Sequence, residues 1–141
     1  MKIFLDTSIL FKLYYLEEGS AEIKDFIIKN VTSIIFIAEI SRLEFLSTVW
    51  KKVRTKQIEI NDANTIISNF EKDEYRYSFV ETDDVIINRA KQLLSKYGLD
   101  GLRTLDSIQL SCCLKIKNET DKYFTADKLL LNIFEKENLP T

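Results

Sequence analysis

The chain has 141 residues, of which 45% are hydrophobic and 30% are charged, and its formal net charge is −2. The length fits one ordinary domain over residues 1–141, and charges of both signs mixed with apolar residues argue against a disordered chain. The sequence contains no histidine, which excludes Ser-His-Asp and Cys-His catalysis and the common zinc sites. Any hydrolytic chemistry must therefore rest on carboxylates, hydroxyls, amines or a hard metal ion.

Short apolar runs alternate along the chain with longer amphipathic segments. The apolar runs predict buried strands at 2–5, 34–37, 77–80 and 123–125, and the stub of an edge strand at 139–141. Helical periodicity predicts helices at 7–16, 20–29, 41–53, 61–75, 83–97, 104–116 and 127–135. Because strands that alternate with helices form parallel sheets covered on both faces, we expect a three-layer α/β/α fold with a central parallel sheet of four to five short strands.

The predicted helix at 104–116 is apolar nearly all round, which indicates a central, buried helix. It carries Cys112 and Cys113, which point in different directions because they are neighbours on a helix. We expect buried, reduced thiols and a cytoplasmic protein. Because Asp6 interrupts the N-terminal apolar run, we do not expect this run to be a signal peptide, and the run at 34–38 is too short to span a membrane.

Acidic residues stand at positions where a parallel α/β fold collects its ligands. Asp6 directly follows the first predicted strand and Asp127 lies just beyond the predicted strand at 123–125, which places both at the carboxyl edge of the sheet. Asp106 interrupts an apolar helix, where a carboxylate is costly unless it is paired or bound to a metal. A site built of oxygen ligands alone would suit Mg²⁺ or Mn²⁺.

Each of these acids also has a purely structural explanation. Asp6 could cap the helix that follows it, and Glu44 closes a Ser41-to-Glu44 segment that matches the capping-box pattern. Asp106 and Asp127 could be first-turn acids favoured by the helix dipole. Residue by residue, the sequence leaves both explanations open.

Four blocks of sequence, taken in order, resemble the motifs of PIN-domain nucleases, and among these most closely the VapC toxins. The blocks are FLDTSILFKLY at 4–14, ISRLEFLS at 40–47, LRTLDSIQL at 102–110 and YFTADKLL at 123–130. The resemblance spans residues 1 to about 139. The alignment of the second block favours Glu44 over Glu39, and the third block departs from many relatives by carrying Gln109 where they have histidine.

The resemblance implies an endoribonuclease that depends on Mg²⁺ or Mn²⁺ and hydrolyses RNA phosphodiester bonds as the toxin of a toxin–antitoxin pair. It also implies a homodimer and a cognate antitoxin protein as partners. The residues that match the acidic positions of the family, as both metal ligands and catalytic residues, are Asp6, Glu44, Asp106 and Asp127. By the same resemblance, Ser8 and Thr125 are hydroxyls that orient the carboxylates or metal-bound water, although helix capping would explain them equally well.

Basic residues near the acidic blocks are candidates for phosphate contacts. They are Lys12, Arg42, Lys51, Lys52, Arg54, Lys56 and Arg103. For Lys51 and Lys52 a solvated helix end is the simpler interpretation, and the acidic net charge is unusual for a protein that binds RNA. The alternative function is a catalytically inactive PIN-like module that binds RNA or a protein partner. A phosphatase of the aspartyl-phosphate type is disfavoured because Ser8 stands where a second aspartate is needed.

Overall fold

A computed structural model describes the protein over residues 1–141. Its four strands are β1 (Lys2–Leu5), β2 (Ile34–Ala38), β3 (Tyr77–Val80) and β4 (Lys122–Phe124). Its seven α-helices are α1 (Thr7–Lys12), α2 (Ser20–Lys29), α3 (Ser41–Arg54), α4 (Ile60–Asp73), α5 (Asp84–Tyr97), α6 (Thr104–Lys115) and α7 (Lys128–Lys136).

The strands form one parallel sheet in the order β3-β2-β1-β4. Ile3 of β1 lies opposite Ile35 of β2, and Phe4 of β1 lies opposite Tyr123 of β4. The chain moves from β1 toward β3 on one side and later returns to place β4 on the other side of β1. The carboxyl ends of β1 and β4 therefore flank the point at which the strand order reverses, where α/β proteins bind their ligands.

The alternation of side chains along β1 separates two hydrophobic cores. Phe4 packs into a core formed with α5, α6 and α7, whereas Ile3 and Leu5 pack into a second core with α1, α2, α3 and α4. A sheet covered by helices on both faces confirms the predicted three-layer α/β/α architecture with a four-stranded parallel sheet.

Helix α6 is the buried helix that its composition predicts. Every residue from position 107 to 113 is buried, including the free thiols of Cys112 and Cys113. Burial raises the pKa of Cys112 to about 12, so this thiol stays protonated at neutral pH. None of the helices has the length and apolar character needed to cross a membrane.

Two predicted boundaries are wrong. The first helix ends at Lys12 and not at residue 16, because the Lys12 ammonium donates to the carbonyl of Glu18 and ion-pairs with Glu17, which stabilises a turn. Residues 139–141 form no strand: Tyr123 donates one hydrogen bond to the carbonyl of Pro140, and proline has no N–H with which to continue the ladder.

Candidate active site

A cavity of about 390 Å³ opens at the carboxyl edge of the sheet, next to the ends of β1 and β4. All four acids singled out from the sequence line it, and each comes from a different part of the fold. Asp6 follows β1, Glu44 lies on α3, Asp106 on α6, and Asp127 precedes α7. Four carboxylates far apart in sequence therefore share one opening.

Asp6 is the most enclosed of the four, with 5% of its surface exposed. Its Oδ1 atom accepts a hydrogen bond from the backbone N–H of Ile9 at 3.0 Å, so it does cap α1 while it lines the cavity. Burial raises its pKa to about 6, and the nearby Glu44 adds to this effect, although the hydrogen bonds that Asp6 accepts oppose it. The two interpretations of Asp6 are thus compatible, because capping uses only one of its oxygens.

Ser8 and Thr125 hold the Asp6 carboxylate from both sides. The Ser8 hydroxyl donates to Oδ1 at 2.6 Å, and the Thr125 hydroxyl donates to Oδ2. Ser8 in turn accepts from the N–H of Ala126 at 3.0 Å, and Thr125 accepts from the N–H of Asp127 at 3.1 Å. The two hydroxyls therefore fix the orientation of Asp6 and connect it to the loop that carries Asp127.

Glu44 takes no part in a capping box. The residue that precedes α3 is Ile40, and no side chain caps the helix. Ser41 instead turns inward, where it is fully buried and its hydroxyl oxygen lies 2.9 Å from that of Thr7. Oε1 of Glu44 accepts from the Gln109 amide at 2.7 Å and lies 3.1 Å from the Thr7 hydroxyl, whose single hydrogen can be donated either to Ser41 or to Glu44. The interpretation of Glu44 as part of a capping box is therefore wrong. Glu39 does not line the cavity, and its carboxylate accepts a hydrogen bond from the backbone N–H of Thr82.

Asp106 and Asp127 also line the cavity. Partial burial raises the pKa of Asp106, and the charge of Asp127 raises it further, while Arg103 opposes both. The Arg103 guanidinium lies 3.9 Å from Asp106 but is 84% exposed, so it screens that charge only weakly. Asp127 uses one oxygen to accept from the N–H of Leu130 at 2.8 Å, which caps α7.

Two lysines line the same cavity. Lys12 and Lys52 are only 15% and 18% exposed, and both lie near Glu17, at 3.2 and 3.9 Å. The Lys52 ammonium also lies 4.8 Å from the centre of the Tyr15 ring. The interpretation of Lys52 as a solvated helix end is therefore wrong. Its spacing in the sequence could have indicated this, because Lys52 lies about two helical turns after Glu44 and so on the same side of α3.

Four of the other basic candidates lie away from the cavity. Arg42 ion-pairs with Glu74 at 3.1 Å and lines a different groove. Lys51, Arg54 and Lys56 are exposed and contribute nothing to the cavity wall. Gln109 and Thr7 also line the cavity, and the sequence does not identify either as part of the site, because glutamine and threonine have no characteristic catalytic role.

The donor set suits a hard divalent cation, since it consists of carboxylate and hydroxyl oxygens and contains no nitrogen or sulfur ligand. Burial is the main cause of the raised pKa of Asp6 and of Asp106, so a bound cation would stabilise the ionised form of both carboxylates. No three acidic side chains lie close enough to hold one ion between them. Mg²⁺ is usually bound through one or two carboxylates and keeps several waters, so the residues fit such an ion.

A parallel α/β sheet with an acid-lined cavity at its switch point defines a recognisable class of protein. The sequence matches the model of the PIN domain family over residues 3–133. The chain therefore belongs to the PIN domain family. No curated protein matches it significantly.

Solved structures share this fold at low sequence identity. VapC20 of Mycobacterium tuberculosis, a toxin that cleaves the sarcin-ricin loop, is 11% identical with a TM-score of 0.70, and the match covers 93% of this chain and 94% of that one. VapBC2 of Rickettsia felis, solved with a DNA fragment from its promoter, gives 17% identity and a TM-score of 0.60, with 99% and 94% covered. These identities show a common fold.

Proposed function

We propose that the protein is an endoribonuclease that depends on Mg²⁺ or Mn²⁺. The observation that carries the proposal is the convergence of Asp6, Glu44, Asp106 and Asp127 on one cavity at the switch point of the sheet. Membership of the PIN domain family and the fold shared with a toxin that cleaves the sarcin-ricin loop support it.

In this proposal one or two of the four acids bind the cation directly, the others reach it through its bound waters, and Ser8 and Thr125 keep Asp6 oriented toward it. A bound divalent cation lowers the pKa of a water molecule and stabilises the charge that develops on a phosphate. Lys12 and Lys52 face the same cavity and attract the RNA backbone there in spite of the acidic net charge.

The protein engages only one oxygen of the Glu44 carboxylate. Both hydrogen bonds to its carboxylate reach Oε1, so Oε2 makes none within the protein and remains free for a ligand or a proton. The oxygen of a water molecule would attack phosphorus and lose a proton to Oε2 of Glu44 or to solvent, while the bond to the 3′ oxygen breaks and that oxygen takes a proton from solvent. The products carry a 5′-phosphate and a 3′-hydroxyl.

Removal of the metal tests the activity directly. Purified protein is expected to cleave a structured RNA in Mg²⁺ and to lose that activity in EDTA, with recovery when Mn²⁺ or Mg²⁺ is added back. Gel separation of end-labelled RNA measures both the rate and the product ends. Full cleavage in EDTA would show that the carboxylates do not act through a metal.

We also propose that the protein is the toxin of a toxin–antitoxin pair in the cytoplasm, that it is a homodimer and that an antitoxin protein binds it. The fold shared with VapBC2 supports the partner. Leu43 and Leu105 are 70% and 46% exposed and adjoin Glu44 in a small groove, which provides apolar surface for a protein contact beside the cavity. Co-purification with the product of the neighbouring reading frame tests this part.

The alternative is a module that binds RNA or protein without cleaving it, and the separation of the carboxylates favours it. Thermal melting in millimolar Mn²⁺ distinguishes the two functions. A metal site predicts a raised melting point, by an amount set by the ratio of Mn²⁺ concentration to its dissociation constant, and no such rise in Asp106→Ala. The exposed variant Asp62→Ala serves as the matched control. An unchanged melting point in the natural protein supports the binding module.

A further inference from the structure

Gln109 occupies an unusual position for a neutral polar residue. It lies on α6 one turn after Asp106, is only 3% exposed, and forms part of the wall of the acidic cavity. The metal chemistry proposed above assigns it no task. Since buried polar side chains are costly unless they are bonded, its contacts show what it does.

The Gln109 amide joins three helices at the cavity wall. Its Nε2 atom lies 2.7 Å from Oε1 of Glu44 and 2.9 Å from the hydroxyl oxygen of Ser41, both on α3, and 3.1 Å from that of Thr7 on α1. Thr7 also approaches Oε1 of Glu44. One carboxylate oxygen of Glu44 is therefore held by groups from α1 and α6 together.

The chemistry of the groups fixes which end of the amide faces Glu44. An ionised carboxylate only accepts hydrogen bonds, so the nitrogen of Gln109 and not its oxygen must point at it. This leaves the Oε1 atom of Gln109 buried and without a hydrogen-bond partner. An unsatisfied buried carbonyl lowers stability, so stability alone does not explain the presence of this residue.

We propose that Gln109 is a positioning residue for Glu44, an inference that rests on the proposed function. Its amide donates a hydrogen bond to Oε1 of Glu44 and so leaves the other carboxylate oxygen, Oε2, available to the cation. Because the amide is neutral, it orients Glu44 without competing with the cation for its charge. A lysine at this position would form an ion pair and weaken the site.

Three variants test this role. Gln109→Leu removes the donor and keeps a similar volume, Gln109→His keeps an N–H donor, and Gln92→Leu is the same change at an exposed position on α5. Calorimetry measures the Mn²⁺ dissociation constant, and thermal melting in EDTA measures stability without metal. Loss of a group that orients a metal ligand typically weakens binding about 10- to 100-fold, which is the effect expected for Gln109→Leu.

The proposal requires that Gln109→Leu weakens Mn²⁺ binding strongly without a comparably large loss of stability in EDTA. The Gln109→Leu variant is expected to bind Mn²⁺ more weakly while its melting point in EDTA falls only modestly, because the hydrogen bonds lost to Glu44 and Ser41 are partly offset by removal of the unsatisfied carbonyl. Gln109→His is expected to recover part of the affinity, and Gln92→Leu to match the natural protein.

Other outcomes overturn the proposal. If Gln109→Leu binds Mn²⁺ as tightly as the natural protein does, Glu44 needs no positioning by the amide. A much lower melting point in EDTA, with affinity unrestored by histidine, shows a structural role instead. In both cases metal binding by the natural protein leaves the proposed nuclease function intact, whereas absence of Mn²⁺ binding in the natural protein contradicts the nuclease function itself.

Discussion

An Asp6→Asn variant is expected to cleave RNA at least about 1,000-fold more slowly than the natural protein, a loss that corresponds to about 4 kcal/mol of transition-state stabilisation. The change replaces a carboxylate by an amide of almost the same shape. It removes the one acid whose two oxygens are both held in place by hydroxyl groups. Single-turnover cleavage of a structured RNA at saturating Mg²⁺ measures the effect.

The geometry around Asp6 makes this substitution informative. The asparagine oxygen can still accept from Ser8 and from the N–H of Ile9, and its amide nitrogen can donate to Thr125, which also accepts from the N–H of Asp127. The fold around position 6 is therefore expected to persist, so that lost activity reports on the missing charge.

A matched control separates the charge at this site from the charge of the whole protein. Asp62→Asn makes the same chemical change at an exposed position of α4 that forms no ion pair, and it is expected to cleave RNA at the natural rate. If Asp6→Asn kept full Mg²⁺-dependent cleavage, the assignment of the cavity as the active site would be wrong.

The sequence predicted the fold well because each layer has its own periodic signal. The apolar run of β1 and the all-round apolar character of α6 place these elements in the interior regardless of their neighbours. The exception is the chain end, where one backbone hydrogen bond to Pro140 resembles the beginning of a strand. Whether a short segment pairs depends on tertiary contacts, and these leave little trace in so few residues.

The site was harder to predict than the fold. The resemblance to PIN-domain nucleases selected the four acids that line the cavity, yet the residues alone could not separate a cap from a ligand. Asp6 and Asp127 prove to be both, because a carboxylate can cap a helix with one oxygen and face a cavity with the other. The contacts of Gln109 with Thr7 and Ser41 could not be anticipated, since they join residues far apart in the chain.

The raised pKa of Asp6 leads to a prediction about stability in the absence of metal. The carboxyl titrates near pH 6 in the folded protein, against an ordinary value of 3.8. Since one pKa unit corresponds to about 1.4 kcal/mol, ionisation of Asp6 costs the metal-free fold about 3 kcal/mol. Between these two pH values the folded state holds the proton more often than the unfolded state, so stability falls as pH rises.

Asparagine at position 6 has no such ionisation. The free energy of unfolding of Asp6→Asn, relative to the natural protein, is therefore expected to increase by about 3 kcal/mol between about pH 3 and pH 7, and to stay constant above that. Urea unfolding in EDTA at a series of pH values measures it. The comparison of two proteins at each pH cancels the titration of the remaining acids, provided that they titrate alike in both.

The same experiment with Mg²⁺ connects stability to function. If the cost of ionised Asp6 exists because the site is built for a cation, Mg²⁺ must stabilise the natural protein more at pH 7 than at pH 5, where the carboxyl is largely protonated. Mg²⁺ must have little effect on Asp6→Asn at either pH. A relative stability that does not change with pH would mean that hydrogen bonds from Ser8 and Thr125 already compensate the charge. Burial of Asp6 would then be no sign of a cation site, and the nuclease proposal would rest on the convergence of the four acids alone.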